Sequence, residues 1–282
     1  MNPNFKAEEY VTPDIMEKYQ LIKDRLNSVR KYSCRNLVLK MLDNPELIVL
    51  DKIDEKTGSA LYENGLIDNP KEFEKYFLEI KKRKRNDFIS SPGSELNDHH
   101  SYPGGLVYHT ATNIELALGV ADVYGRIYGL KVDRELLITA MAFHDIAKVF
   151  LFSWDNQGTY PDEYQIAGTE THHILSISEA ILKEFPFEVV KGMAFCHASF
   201  ERPEKELEKY LAAANLITGK AAPENYILEP EVEDMICLYA DSDGFISKWA
   251  VEHVVKILMK ENFNRQKIYK FLSLQTEYSI FK

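Results

Sequence analysis

Apolar residues recur at helical spacing along most of this chain, and the period-2 alternation that a strand requires is scarce. Ile114, Ala117 and Ala121 mark one helical face; Leu137, Ala140 and Met141 mark a second, and Ile177, Ala180 and Ile181 a third. Val190, Met193 and Ala194 repeat the pattern, as do Val251, Val254, Val255 and Leu258. The spacing predicts an all-α fold with helices near 106–124, 133–149, 170–184, 188–199 and 231–247. Residues 13–90 read as several short helices, divided at Asp43-Asn44-Pro45, Thr57-Gly58-Ser59 and Asp68-Asn69-Pro70. Ser90-Ser91-Pro92-Gly93-Ser94 reads as a boundary. The expected organisation is a helical extension over 1–90, a main helical domain over 91–250, and a C-terminal helical segment over 251–282 packed on it, with Phe271 and Leu272 docking its end.

Candidate metal ligands fall on these same faces. His109 follows a Pro103-Gly104-Gly105 turn into a helix, and the two glycines let a ligand approach the backbone. His144 and Asp145 sit together near Lys148, about 100° apart on a helix. His173 shares its stripe with Ile177 and Ala180 and is expected to point inward; His172 aligns with Ser176 and Glu179 on a more polar face. His197 continues the Val190-Met193-Ala194 stripe. One histidine on an apolar face is ordinarily a hydrogen-bonded core residue. Four of them with an aspartate, on four successive helices, point instead to an ion held across a bundle. Imidazole and carboxylate donors suit one or two ions of Mn, Fe, Co, Ni or Zn better than Ca or Mg. Lys148 then reads as a mobile positive charge able to hold a phosphate.

Charge and composition narrow the picture. A formal net charge of −10 over 282 residues argues against wrapping nucleic acid or coating an anionic membrane. The run Lys81-Lys82-Arg83-Lys84-Arg85 is expected to be a solvated face or linker. Cys34, Cys196 and Cys237 have no CxxC spacing, which fits free thiols in a reducing compartment. The N-terminus has no apolar signal core and no apolar run reaches the ~18 residues a spanning helix needs. A cytoplasmic protein is the expectation.

The order His…His-Asp…His…His…Asp, with the stretches HHSYPGGLVYHT, AMAFHDIAK and THHILSISEAI, resembles the HD-domain superfamily of metal-dependent phosphohydrolases over roughly residues 95–250. The resemblance implies His109, His144, Asp145, His173 and His197 as metal ligands. It closes on a later aspartate, for which Asp241 is favoured over Asn215 because a carboxylate neutralises a cation and an amide does not. It further implies that Lys148, Asp145 and His100 take part in catalysis. His99, His100, Lys148, Gly104, Gly105 and His172 would contact a small phosphoester substrate. The implied activity is hydrolysis of a phosphate ester of a nucleotide or another small metabolite, with homo-oligomers allowed and no membrane partner. Di-iron oxygenases of the same fold share this ligand order, and a silent ligand-binding module would keep it too. The segment from Val149 through Pro161 reads either as a gating loop or as a surface connection anchored by aromatics.

Overall fold

In the computed structural model, which describes residues 5–96, 98–220 and 229–281, the chain is all-α apart from one two-stranded ribbon. Four helices come first: α1 (Pro13–Ser28), α2 (Arg35–Asp43), α3 (Glu55–Glu63) and α4 (Pro70–Ile80). The long α5 (Gly105–Tyr128) follows, then α6 (Arg134–Phe143) and the single turn α7 (Lys148–Leu151). The ribbon β1 (Gln165–Ile166) and β2 (Thr169–Glu170) leads into α8 (Thr171–Leu182) and α9 (Phe187–Phe195). The remainder is α10 (Pro203–Thr218), α11 (Val232–Asp241), α12 (Gly244–Lys260) and α13 (Arg265–Gln275). Among the described residues no helix is long and apolar enough to cross a membrane.

Local chemistry sets the helix starts. Thr12 caps α1, its hydroxyl accepting the Ile15 N–H at 3.2 Å, with Pro13 at the first helical position. Asn69 and Pro70 do the same for α4, and Asp133 caps α6. α5 begins where only glycine fits. Gly104 has φ +86°, and a Cβ on Gly105 would lie 1.8 Å from the His100 carbonyl oxygen. That close approach seats the Gly-Gly turn directly on the segment carrying His99 and His100.

α5 packs against α1, α6 and α11, while α9 packs against α6, α8 and α11, so these helices enclose one apolar core. The core runs from Ile15 in α1 to Ala240 in α11 and takes in Ile22, Phe73 and Phe77 from the N-terminal helices. A second cluster joins Phe5 and Tyr102 to Val254, Leu258, Ile268 and Leu272 of α12 and α13. The basic run is exposed from Lys81 to Lys84, as a solvated face would be, and is anchored at three points. Lys81 Nζ donates to the Ile53 carbonyl at 2.7 Å, Arg83 to the Ser153 carbonyl at 3.4 Å, and Arg85 to Asn44 Oδ1 at 2.6 Å. All three cysteines are free and buried.

Three predicted helices break at a residue proposed for chemistry. The helix expected over 133–149 ends at Phe143, and residues 144–147 form tight turns, with Ile146 N donating to the Phe143 carbonyl and Lys148 N to the Asp145 carbonyl. α9 ends at Phe195, just before His197. The helix expected over 231–247 ends with Asp241 itself, and α12 starts afresh at Gly244. Periodicity alone misses such breaks because apolar spacing continues across them.

Candidate metal centre

The breaks have an electrostatic consequence. His144, Asp145, His197 and Asp241 all lie at or just past helix C-termini, where partial negative charge favours cations. His172 comes from the first turn of α8 and His109 from the start of the second turn of α5. These ends converge on two groups of donor atoms. One is His109, His144 and Asp241, the other Asp145, His172 and His197; within each group the donor atoms lie within 4.8 Å of one another.

Each aspartate reaches both groups. Asp145 Oδ2 lies 2.9 Å from His109 Nε2 and 3.5 Å from His144 Nε2, while its Oδ1 lies 3.1 Å from His172 Nε2. Asp241 Oδ1 lies 3.1 Å from His109 Nε2 and 3.2 Å from His144 Nε2, while its Oδ2 lies 3.3 Å from His197 Nε2. The Nε2 atoms of His172 and His197 are 3.4 Å apart. Donors bound to one transition ion at about 2.0–2.2 Å stand ~3–3.5 Å from each other, so these separations fit two neighbouring ions.

The far sides of three of the imidazoles are also fixed. His144 Nδ1 lies 2.9 Å from the Met141 carbonyl, which can only accept, so Nδ1 carries the proton and the Nε2 lone pair faces the centre. His172 Nδ1 is 2.6 Å from Glu163 Oε1, and His197 Nδ1 is 3.1 Å from Glu170 Oε2. Backing of this kind is what oriented metal-binding histidines need. Asn113, one turn past His109 on α5, donates from Nδ2 to Asp241 Oδ1 at 2.7 Å.

Asp145 is buried, yet neither of its carboxylate oxygens has a hydrogen bond of normal direction, although Lys148 Nζ stands 2.6 Å from Oδ2. Burial alone would raise its pKa; His144, Lys148 and His172 pull it well below the usual carboxylate range. For Asp241 burial acts the same way, and His144 and His109 overcome it. Both anions therefore persist at neutral pH. They in turn raise His144 above its ordinary value against burial, and Glu163 with Asp145 raises His172 to about 9. The cluster draws positive charge, whether as protons or as metal ions. Four imidazole nitrogens, each within 3.3 Å of an Asp145 or Asp241 oxygen and turned to one centre, are a donor set that fits divalent transition ions.

Several predicted residues lie elsewhere than expected. His172, not His173, joins the donor groups. His173 Nε2 is 3.2 Å from the Ala194 carbonyl and its ring stacks on His197, with centroids 4.3 Å apart. Both histidines are buried, because the ribbon and the loop before α8 cover the face that looks polar in sequence. Asp241 meets the histidines, whereas Asn215 belongs to α10, which packs on α8 and α9. Lys148 is not mobile: it is buried, and Nζ donates to the Gly93 carbonyl at 2.6 Å. His100 is buried behind the pocket, its Nδ1 2.7 Å from Glu277 Oε1. The crowding at Gly104 and Gly105 comes from Ile15 and His100, so the pair serves the turn.

The donor groups open into a pocket of about 130 Å³ whose walls include His99, Lys148, Glu95, Asp98, Glu163 and Glu170. His99 Nδ1 lies 3.1 Å from Asp98 Oδ1; burial lowers its pKa to about 4, so its ring is neutral near pH 7. Glu163 and Glu170 carry no spacing signal in the sequence, since the loop and ribbon that deliver them have no periodicity. That loop is anchored by aromatics: Trp154 Nε1 donates to the Ser90 carbonyl at 3.0 Å and Tyr160 to the Ser94 carbonyl at 2.7 Å.

Comparison with known proteins adds a chemical direction. The chain is 34% identical over 125 residues to dihydroneopterin 2',3'-cyclic phosphate phosphodiesterase of Methanocaldococcus jannaschii, covering 44% of this chain and 49% of that protein. It is similar to a cyclic-phosphate phosphodiesterase over part of its length. A second relative is the 3'-5' exoribonuclease YhaM of Bacillus licheniformis, 32% identical over 99 residues, which are 35% of this chain and 30% of that one. The Listeria monocytogenes YhaM is 31% identical over 102 residues, 36% and 29% of the two chains. The matched segments thus span less than half of these relatives. No family model and no solved structure matches the chain.

Proposed function

We propose that this chain is a metal-dependent phosphohydrolase of the HD-domain superfamily, acting on a phosphate ester of a nucleotide or other small metabolite. The observation that carries the reading is the double reach of Asp145 and Asp241, each with one oxygen toward either donor group. Four histidines, His109, His144, His172 and His197, complete the two groups. The partial likeness to two phosphoester-cleaving enzymes supports the same direction. Divalent transition ions held there would lower the pKa of a bound water and polarise the phosphoryl oxygens.

The chain's own residues have distinct tasks. Met141, Glu163 and Glu170 hold three imidazoles so that their Nε2 lone pairs face inward. Burial of Asp145 excludes competing water from the donor atoms. Lys148, fixed by Gly93 and Asp145, presents a permanent positive charge to the pocket and steadies charge on the phosphoryl group. Asp98 orients the neutral His99 ring at the pocket wall as a hydrogen-bonding contact for substrate.

Metal analysis of untreated protein, followed by a panel of phosphomonoesters and phosphodiesters, tests the reading. Activity should vanish with chelator and return with Mn²⁺, Co²⁺ or Ni²⁺. His172→Ala should lower metal content further than His173→Ala does. Iron-dependent O₂ consumption, with no phosphoester cleaved across the panel, would replace this reading with the oxygenase one.

A further inference from the structure

We infer that the pocket selects a singly charged phosphodiester and rejects polyanionic phosphates such as nucleoside triphosphates and RNA. The inference rests on the phosphohydrolase reading above and concerns the charge of its substrate. Among the described residues lining the pocket, Lys148 is the one lysine or arginine, and its charge is already shared with Asp145 and the Gly93 carbonyl. Around it stand the carboxylates of Glu95, Asp98, Glu163, Glu170 and Asp241, with Asp145 beneath them. Lys248 of α12 reaches the rim, but its Nζ sits 2.9 Å from Asp98 Oδ2, and Asp98 also carries His99. Two divalent ions, with Lys148 and Lys248, would only balance these six carboxylates. One negative charge can be accepted against that balance. Each further charge would exceed that balance, and the described wall offers no arginine fork to take it up.

Glu95 is the wall residue most directly responsible. Its carboxylate is not tied to any histidine of the centre; Oε1 accepts the Glu163 N–H at 3.1 Å. Glu163 and Glu170, by contrast, are occupied in holding His172 and His197. Phosphate-chain and polynucleotide sites normally carry several free basic groups, and the described wall has none.

The test compares kcat/KM for a nucleoside 2',3'-cyclic monophosphate, a nucleoside triphosphate and a ribo-octanucleotide, with wild-type protein and Glu95→Gln at two salt concentrations. The cyclic diester should exceed the other two by at least about a hundredfold, each extra charge costing roughly tenfold near a carboxylate. Glu95→Gln should raise the triphosphate-to-diester ratio about tenfold, and added salt should raise the same ratio in the wild type. Anisotropy of a fluorescent octanucleotide on chelated protein gives a readout free of turnover. Binding there should be weak and should tighten in Glu95→Gln. Equal kcat/KM on all three substrates, or a ratio unmoved by Glu95→Gln and salt, would overturn the charge selection while leaving the hydrolase reading intact. Cleavage of none of them would instead count against the hydrolase reading itself.

Discussion

Asp145 and Glu277 are both buried carboxylates, and they show two ways to keep a charge inside a protein. Glu277, in the last helical turn of the chain, accepts the Tyr102 hydroxyl at Oε2 (2.6 Å) and the Ser247 hydroxyl at Oε1 (2.5 Å), with His100 Nδ1 2.7 Å away. Asp145 has cationic and imidazole neighbours as close, yet no hydrogen bond of normal direction. A carboxylate with two donor hydroxyls is locked into the fold. One ringed by imidazole nitrogens and a lysine, with no hydroxyl donor of its own, is arranged for positive charge that can come and go. Chemistry-bearing carboxylates thus differ from structural ones in what their partners donate, more than in burial.

The strongest way to break this comparison is to remove each charge in turn. Asp145→Ala should abolish both bound metal and phosphoester hydrolysis, with metal content read by mass spectrometry and activity by phosphate release. Asp241→Asn should also cut metal occupancy sharply, because each donor group would lose one anionic oxygen, while Asn215→Ala should leave occupancy close to wild type. Unchanged metal content in Asp241→Asn would detach that aspartate from the centre.

Glu277→Ala should act on stability. Leaving the buried Tyr102 and Ser247 hydroxyls without their acceptor costs roughly 1–3 kcal/mol each, visible as a lower denaturant midpoint, while metal content per folded protein stays near wild type. The same residue gives a pH signature. His100 and the hydroxyls of Ser247 and Tyr102 hold the Glu277 carboxyl near 2 despite its burial, below the ordinary 4.5. A depressed carboxyl stabilises the fold above its unfolded value and loses that contribution as pH falls through the folded one. The stability gap between wild type and Glu277→Gln should therefore be full above pH 5 and shrink as pH drops toward about 2. A gap that widened on acidification would reverse the assignment.

The mildest effect should come from the groups behind the histidines. Glu163→Gln and Glu170→Gln should each weaken metal binding by about 10- to 100-fold, without the total loss expected of Asp145→Ala. If either equalled Asp145→Ala, that glutamate would itself be a direct ligand.

Much of this was legible in the chain. The all-α fold follows from 3.6-residue periodicity, and His109, His144-Asp145, His197 and Asp241 do meet, because apolar stripes aim helices at a common interior. Spacing failed where the chain leaves the helix. His172 and His173 differ by one residue, and which of them turns to the centre depends on a ribbon and loop that no period announces. His100 was unreadable for another reason: its partner Glu277 lies at the far end of the sequence. Glu163 and Glu170 stand in irregular segments where any acidic residue looks like surface.

The helix ends that supply the donors come from widely separated parts of the chain: residues 109, 144–145, 172, 197 and 241. An ion shared among them would act as a rivet, joining α5, α8 and the ends of α6, α9 and α11 at one point. Every loop between those residues would then be closed twice, once by packing and once by coordination. Chain segments free to open one at a time without the ion would have to open together with it, so loading the centre should slow proteolysis across the bundle, far beyond the pocket itself.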